Sequence, residues 1–457
     1  MPRPSRPRLV GALVVALAAA SVSPAAASGR HDHHHDGSGQ ARLLARATLS
    51  ADYQAPGPPS GALATPANGR QGPFPGQVVP GFSAAIDNGD GTFWAQPDNG
   101  FGAKGNSADF LLRLYLVRPH WKTAGGGSGE VTVLRHISLS DPQHRIGFPI
   151  VNESTPDRLL TGDDLDIESV QRGRDGTFWI GDEFGPFIVH VDARGRVLSA
   201  PVASPLGKSP QNPLLGSEQP RTQQSGGFEA MAQSKDGRHL YPILENALVG
   251  DADKRRRVVA ELDTRTGRYT GRTWDYRVDA DANLVADAQI TSRGDLLVLE
   301  RDNADGAAAV TKKVYAVRLG TRGTTSKSLV VDLLDISDRR GISTGGGWGT
   351  GRQFSFGFQS VETLVPLAGG RLMIANDNNY PGNSARRPGT PDDTEMIVID
   401  PAPVADESRR PADESLLPRT SDSSRGVGDS SADGVRRSSR GSWRALTGTT
   451  CRQDGRR

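Results

Sequence analysis

The feature that most limits what this chain can fold into is a degenerate hairpin that recurs five times between residues 81 and 379. Its first half is a short apolar strand opened by a polar or acidic residue: GFSAAID at 81–87, DLDIESV at 164–170, GGFEAMA at 226–232, VADAQIT at 285–291 and FQSVETL at 358–364. Its second half reads TFWAQPDNG from Thr92, TFWIGDEFG from Thr177, HLYPILENA from His239, DLLVLERDN from Asp295 and RLMIANDNN from Arg371. Glycine-bearing turns (NGDG, RDG, KDG, SRG, AGG) separate the halves, and turns of that kind join antiparallel neighbours. The interval between the two polar markers is held at 13 to 16 residues: Ser83 to Asp98, Glu168 to Asp182, Glu229 to Glu245, Asp287 to Glu300 and Glu362 to Asp377.

Further strands follow several of the hairpins: PFIVHVD, RRVVAELD, KKVYAVRLG and EMIVID. Helical periodicity is almost absent, and 55 glycines with 31 prolines suit short strands and tight turns. Hairpins repeating at roughly 60 to 85 residues in an all-β chain are what a β-propeller of four-stranded blades produces. Five units are visible, and the early strand ARATLSADY is available to help complete another. The expectation is five or six blades, with six favoured.

The ends have a different texture. Arg3, Arg6 and Arg8 precede the apolar run Leu9 to Ala20, and Ala25-Ala26-Ala27 offers a small-residue cleavage site, so residues 1–27 read as an export signal. Residues 28–40 form a His/Gly/Ser-rich leader expected to be flexible, 41–401 the compact propeller domain, and 402–457 a Ser/Arg/Asp-rich tail expected to be disordered. No apolar stretch is long enough to span a bilayer. A secreted, extracellular protein is the expectation.

Lys and Arg number 54 against 52 Asp and Glu, which gives no electrostatic case for nucleic acid or an anionic membrane as partner. Cys451 is the only cysteine, so neither a disulfide framework nor a thiolate zinc site can form within the chain. A monomer acting on a small molecule is expected.

In a propeller the innermost strands converge on a central channel, so a marker at one phase of every unit gathers at one mouth. Glu168, Glu229, Asp287 and Glu362 open the first strands, while Asp98-Asn99, Asp182-Glu183, Glu245-Asn246, Glu300 to Asn303 and Asn376 to Asn379 end the neighbouring ones, on the same rim or one layer outward. That many carboxylates share a small volume only with cations between them, because like charges oppose one another's ionisation. Oxygen donors from Asp, Glu and Asn suit Ca²⁺, whereas zinc prefers His and Cys. Any single acid has the alternative of capping a strand end; recurrence at one phase favours a shared site. The metal set expected is Glu168, Asp182, Glu229, Glu245, Asn246, Asp287, Glu300, Asp302, Glu362 and Asp377, with Arg301, Lys104 and Glu183 as catalytic candidates.

Other motifs weigh less. DNGDG at 87–91 lacks EF-hand spacing and reads as a hairpin turn, and HDHHHD at 31–36 as a solvated tract. No G-x-S-x-G elbow is present, and the histidines are scattered along strand-like segments. Phe93-Trp94 and Phe178-Trp179 read as packing between blades.

The segments GFSAAIDNGDGTFWAQPDNGFG, GDDLDIESVQRGRDGTFWIGDEFGPFIVHVD, GGFEAMAQSKDGRHLY, FQSVETL and ANDNNYPG together resemble the bacterial phytase-like family described as having esterase-like activity, over roughly Ala41 to Asp400. The resemblance implies a propeller related in architecture to calcium-dependent phytases and secreted alkaline phosphatases, hydrolysing phosphoric or carboxylic esters. The R-H-G-x-R-x-P signature of histidine phytases is absent, so a mechanism of this kind would rest on metal. A single-metal lactonase or carboxylesterase using Glu168, Asn246 and Asp302 is the second enzyme reading. A non-catalytic calcium-stabilised propeller that binds a glycan, peptide or cell-wall component is the competitor from another class.

Overall fold

In a computed structural model the described residues are 40–401, except Arg322. The expected signal and tail, and the expected leader except Gln40, lie outside them. Among the described residues no helix is long and apolar enough to cross a membrane.

Each hairpin read from sequence becomes the inner half of a four-stranded antiparallel sheet. Sheet 1 comprises Ala84–Asp87, Phe93–Gln96, Arg113–His120 and Glu130–Ser138. Sheet 2 comprises Ile167–Arg172, Phe178–Asp182, Phe187–Val191 and Val202–Ala203. Sheet 3 comprises Ala230–Gln233, His239–Ile243, Arg256–Asp263 and Arg268–Arg277. Sheet 4 comprises Leu284–Ile290, Leu296–Arg301, Lys312–Leu319 and Thr325–Asp332.

Sheet 5 is assembled from both ends of the described chain: Ser360–Pro366, Leu372–Asp377 and Thr394–Asp400 are completed by Ala41–Leu49, which pairs antiparallel with Thr394–Asp400. The early strand thus closes the fifth sheet instead of contributing to a sixth. One parallel pair, Thr48 with Glu130, links it to the outer strand of sheet 1.

The first strands touch one another in a closed cycle, sheet 1 to 2, 2 to 3, 3 to 4, 4 to 5 and 5 back to 1. Five apolar clusters fill the five gaps between neighbouring sheets. Period-2 alternation of the strands explains the composition of these gaps. Phe93 packs toward sheet 5 and Trp94 toward sheet 2, where it meets Phe178 edge-on at 6.0 Å; Phe178 stays in that gap while Trp179 enters the next. Both faces of the inner strands are therefore buried, which is why segments such as TFWIGD show apolar residues on successive positions. The arrangement is propeller-like.

Register fixes where the polar markers go. In every sheet the start of the first strand lies opposite the end of the second, as in Ala84 with Gln96, Ile167 with Asp182, Leu284 with Arg301 and Ser360 with Asp377. Both sets of markers consequently reach the same end of the cycle.

Candidate functional site

Three of the first strands carry a β-bulge next to their start. The residue left without a cross-strand partner is Glu168 in sheet 2, Ala286 in sheet 4 and Glu362 in sheet 5. A bulge re-aims the extra side chain. Ser83 and Glu229 hold the same phase, each directly before the first paired residue of its strand. Two residues beyond the partner of the next first-strand residue stand Asp98, Glu183, Glu245, Arg301 and Asp377.

Of these ten positions all but Ser83 and Ala286 line one cavity of about 360 Å³. Asp166, two residues before Glu168, joins them, so eight carboxylates and a single guanidinium share it. Asn99, Asn246, Asn303 and Asn379 add neutral oxygens and amides. Among the described residues neither His nor Cys lines it.

Close approach of the backbones makes the ring tight. At Gly227 a Cβ would stand 2.5 Å from Glu183 Cα, and the Gly227 N–H donates to Glu183 Oε1 at 3.0 Å. Gly81, at φ 128°, passes Asp377 so closely that a Cβ would lie 2.4 Å from its Cα.

Arg301 is the charge that part of the ring is built around. Its Nη2 lies 2.8 Å from Glu362, 3.3 Å from Glu245 and 3.5 Å from Glu229, and its Nη1 bonds Asn303 Oδ1. The other part has no such partner. Asp98, Asp166 and Glu168 place one carboxylate oxygen each within 4.8 Å of one another, and Glu168, Glu229 and Glu362 form a second group of the same kind, so Glu168 belongs to both. Glu168 is 7 % exposed, and its carboxyl group lies within hydrogen-bonding reach of that of Asp166.

The electrostatics follow. Burial, and then mutual repulsion with Glu229, holds Glu168 well above the usual carboxylate range. Burial likewise raises Asp166, Glu183, Glu229 and Asp377, with neighbouring carboxylates adding to it, and pushes Asp98 and Glu245 up to about 7. A ring whose carboxylate oxygens crowd together, with Glu168 common to both groups, fits a hard oxygen-seeking cation.

The predicted set divides on a one-residue shift. Glu168, Glu183, Glu229, Glu245, Asn246, Arg301, Glu362 and Asp377 reach the cavity. Asp182, Asp287, Glu300, Asp302 and Lys104 do not.

Asp182 accepts the N–H groups of Asp166 at 2.9 Å and Gly185 at 2.7 Å, and so pins the strand ends. Glu300 faces the other side of its strand, where Lys327 Nζ at 2.7 Å, Tyr276 Oη at 2.9 Å and Asn283 Nδ2 at 2.8 Å satisfy it. Asp287 follows the bulge and ties sheet 4 to sheet 5 by accepting the Leu364 N–H at 2.8 Å. Asp302 pairs with Lys312 at 2.9 Å and caps the Val310 and Thr311 amides. Lys104 sits on a one-turn 3₁₀ helix with its ammonium 5.4 Å from the Phe184 ring centre.

Asp166 went unpredicted as a ligand. The signal was present in its place two residues before Glu168, in the acidic run GDDLDIE that leads into the first strand of sheet 2. Arg301 was predicted as a group facing substrate, yet most of its donors serve the ring.

The fungus Arthroderma benhamiae has an uncharacterized secreted protein that is 27 % identical to this chain, over 52 % of this chain and 62 % of the other. This chain thus spans under two thirds of that relative's length. Solved structures with some likeness include the hydrazine synthase of Kuenenia stuttgartiensis (TM-score 0.31, 13 % identity, 65 % of this chain and 64 % of that one) and a luciferin-regenerating enzyme (TM-score 0.33, 10 % identity, 71 % and 78 %). At those scores neither bears on function. Residues 77–380, which contain the whole ring, match the sequence profile of the phytase-like family, described as esterase-like activity of phytase, and the chain belongs to that family.

Proposed function

We propose that this protein is a secreted, calcium-dependent ester hydrolase acting on phosphoesters, built as a five-bladed propeller and working as a monomer. The observation that carries the proposal is Glu168, a buried carboxylate shared by two three-carboxylate groups in a cavity where, among the described residues, eight carboxylates face one guanidinium. Asp98, Asp166 and Glu168 would hold one cation, and Glu168 with Glu229 and Glu362 a second. Calcium bound there supplies positive charge for the oxygens of an anionic ester and acidifies water.

The chain's own groups do the rest. Arg301 neutralises the Glu229, Glu245 and Glu362 side, so that part of the ring needs fewer ions. Glu183, held through one oxygen by the Gly227 N–H, would take the proton of the attacking water and, as the P–O bond breaks, pass it to the departing alkoxide, so that an alcohol leaves and the carboxylate is regenerated. Asn246 and Asn379 supply neutral polar contacts at the rim. Asp302, the third ligand of the lactonase reading, is paired with Lys312, which favours the carboxylate ring over that reading. An export signal at 1–27 and the secreted fungal relative support secretion.

The test is hydrolysis of p-nitrophenyl phosphate, a bis-ester and p-nitrophenyl acetate, each with EDTA and with calcium restored. Turnover of a phosphoester that EDTA abolishes and calcium restores is the expected result. No turnover of any substrate with calcium leaves a binding propeller as the better account. Carboxylester turnover indifferent to EDTA overturns the metal mechanism.

A further inference from the structure

Next to the carboxylate cavity, and sharing Asp98, Gly102 and Asn379 with it, lies a smaller chamber of about 170 Å³. Its remaining walls have the opposite character: Ala64, Ala67, Phe101, Tyr380 and Pro381, with Thr65 as a further polar side chain. The aromatic wall is fixed. Phe101 meets Phe110 edge-on at 5.7 Å and lies near-parallel to Phe74 at 6.3 Å, and Phe74 packs 5.2 Å from Tyr380. Tyr380 directs its hydroxyl to Asp52 at 2.9 Å, away from the chamber.

The alanine wall is tied down as firmly. Asp109 accepts the N–H groups of Gly61 and Ala62 at 2.9 and 2.8 Å, and Asn68 Nδ2 donates to the carbonyls of Pro381 and Gly382 at 2.8 Å. At Gly61, with φ 76°, the backbone comes so near the rings that a Cβ would lie 2.8 Å from both Phe74 and Phe101.

We infer that this chamber receives the alcohol part of the substrate while the charged part lies among the carboxylates, so that the preferred esters carry one ring-sized apolar group. The inference rests on the hydrolytic reading above and narrows its substrate class. The size agrees: an apolar cavity of about 150 Å³ takes up benzene. A polyol bearing several phosphates fits poorly, because it would press anions against Ala64, Ala67 and Phe101, which offer no donors.

The experiment compares benzylphosphonate with methylphosphonate as uncleaved ligands in saturating calcium, and benzyl phosphate with ethyl phosphate as substrates, pairs matched for an alkyl group so that leaving-group acidity differs little. Benzylphosphonate should bind about 30-fold tighter, as burial of one ring predicts. Ala67→Leu, which fills the chamber, and Phe101→Ala, which removes its wall, should each erase most of that preference and leave methylphosphonate affinity as it was. Retained methylphosphonate binding also reports that each variant is folded, and if one is not, the other carries the test. Equal affinity for the two phosphonates, or a benzyl preference that survives both substitutions, overturns the inference. A benzyl preference without turnover of either ester would sink hydrolysis and leave the chamber standing; equal KM for both esters would do the reverse.

Discussion

Replacing Arg301 by Met removes the only cation that lines the carboxylate cavity among the described residues while keeping a side chain of similar length. The guanidinium stands 2.8, 3.3 and 3.5 Å from Glu362, Glu245 and Glu229, whose side chains are 5 to 8 % exposed. Breaking one buried ion pair costs about 3–5 kcal/mol, chiefly because a charge stays buried without compensation. Three pairs are broken here, but the cost does not triple. Burial already holds Glu229 and Glu245 up in pKa, so they relieve the repulsion by taking protons.

At about 2 °C per kcal/mol for a chain of this size, the variant in EDTA should melt some 6–10 °C below the parent at the same scan rate. Calcium at a thousand-fold excess over its Kd contributes about 4 kcal/mol, which is of the same order. Because a cation can take the place of the guanidinium, the calcium-induced rise should be larger in Arg301→Met than in the parent. Arg301→Lys, which keeps the charge but not the fork that reaches three partners, should fall between them. Equal melting of Arg301→Met and parent in EDTA would refute the balance of charge described here, and a smaller calcium response in the variant would refute the ring as a cation site.

Glu168→Gln should lower calcium affinity and phosphoester turnover by at least about 10- to 100-fold, yet melt higher than the parent in EDTA, since one mutually repelling buried carboxylate is gone; a lower melt in EDTA would show that Glu168 is held by something other than a cation. Gly227→Ala places a Cβ 2.5 Å from Glu183 Cα and should cost about 1–3 kcal/mol while reducing turnover, with unchanged kinetics counting against Glu183 as the proton acceptor. Away from the cavity, burial alone would raise Glu395, but Arg386 and Arg46, each at 2.8 Å, bring it down from 4.5 to about 2. A depressed carboxylate stabilises the fold above its unfolded pKa and loses that contribution as pH falls toward the folded value, so roughly 3 kcal/mol should disappear between about pH 5 and pH 2. The stability difference between parent and Glu395→Gln should shrink over that window, and a constant difference in urea melts would exclude the effect.

What the sequence conveyed about this site and what it withheld have one physical origin. The hairpins, their common phase and the gathering of acids at one mouth were legible, because turn chemistry and period-2 patterning are local. Which acid of a neighbouring pair faces inward was not. In Asp182-Glu183 and Glu300-Arg301 the second residue lines the cavity, and in sheet 4 the phase that is Glu168 or Glu362 elsewhere is Ala286, one before Asp287. Each case stands beside a bulge, and a bulge displaces the alternation by one residue without a mark in composition. The closure of the cycle was hidden for a different reason. Nothing in ARATLSADY distinguishes a strand that starts a unit from one that finishes the last, and only its pairing with Thr394–Asp400 decides it.

The one-residue shift also explains why Arg301 is where it is. If sheet 4 supplied Asp287 and Glu300 to the cavity as the other sheets supply their acids, ten carboxylates would share it with no cation from the protein. Instead it presents Ala286 and Arg301, and its two acids serve Leu364 and Lys327. One sheet in five thus neutralises its neighbours and leaves the region around Asp98, Asp166 and Glu168 as the part that only an external cation can balance.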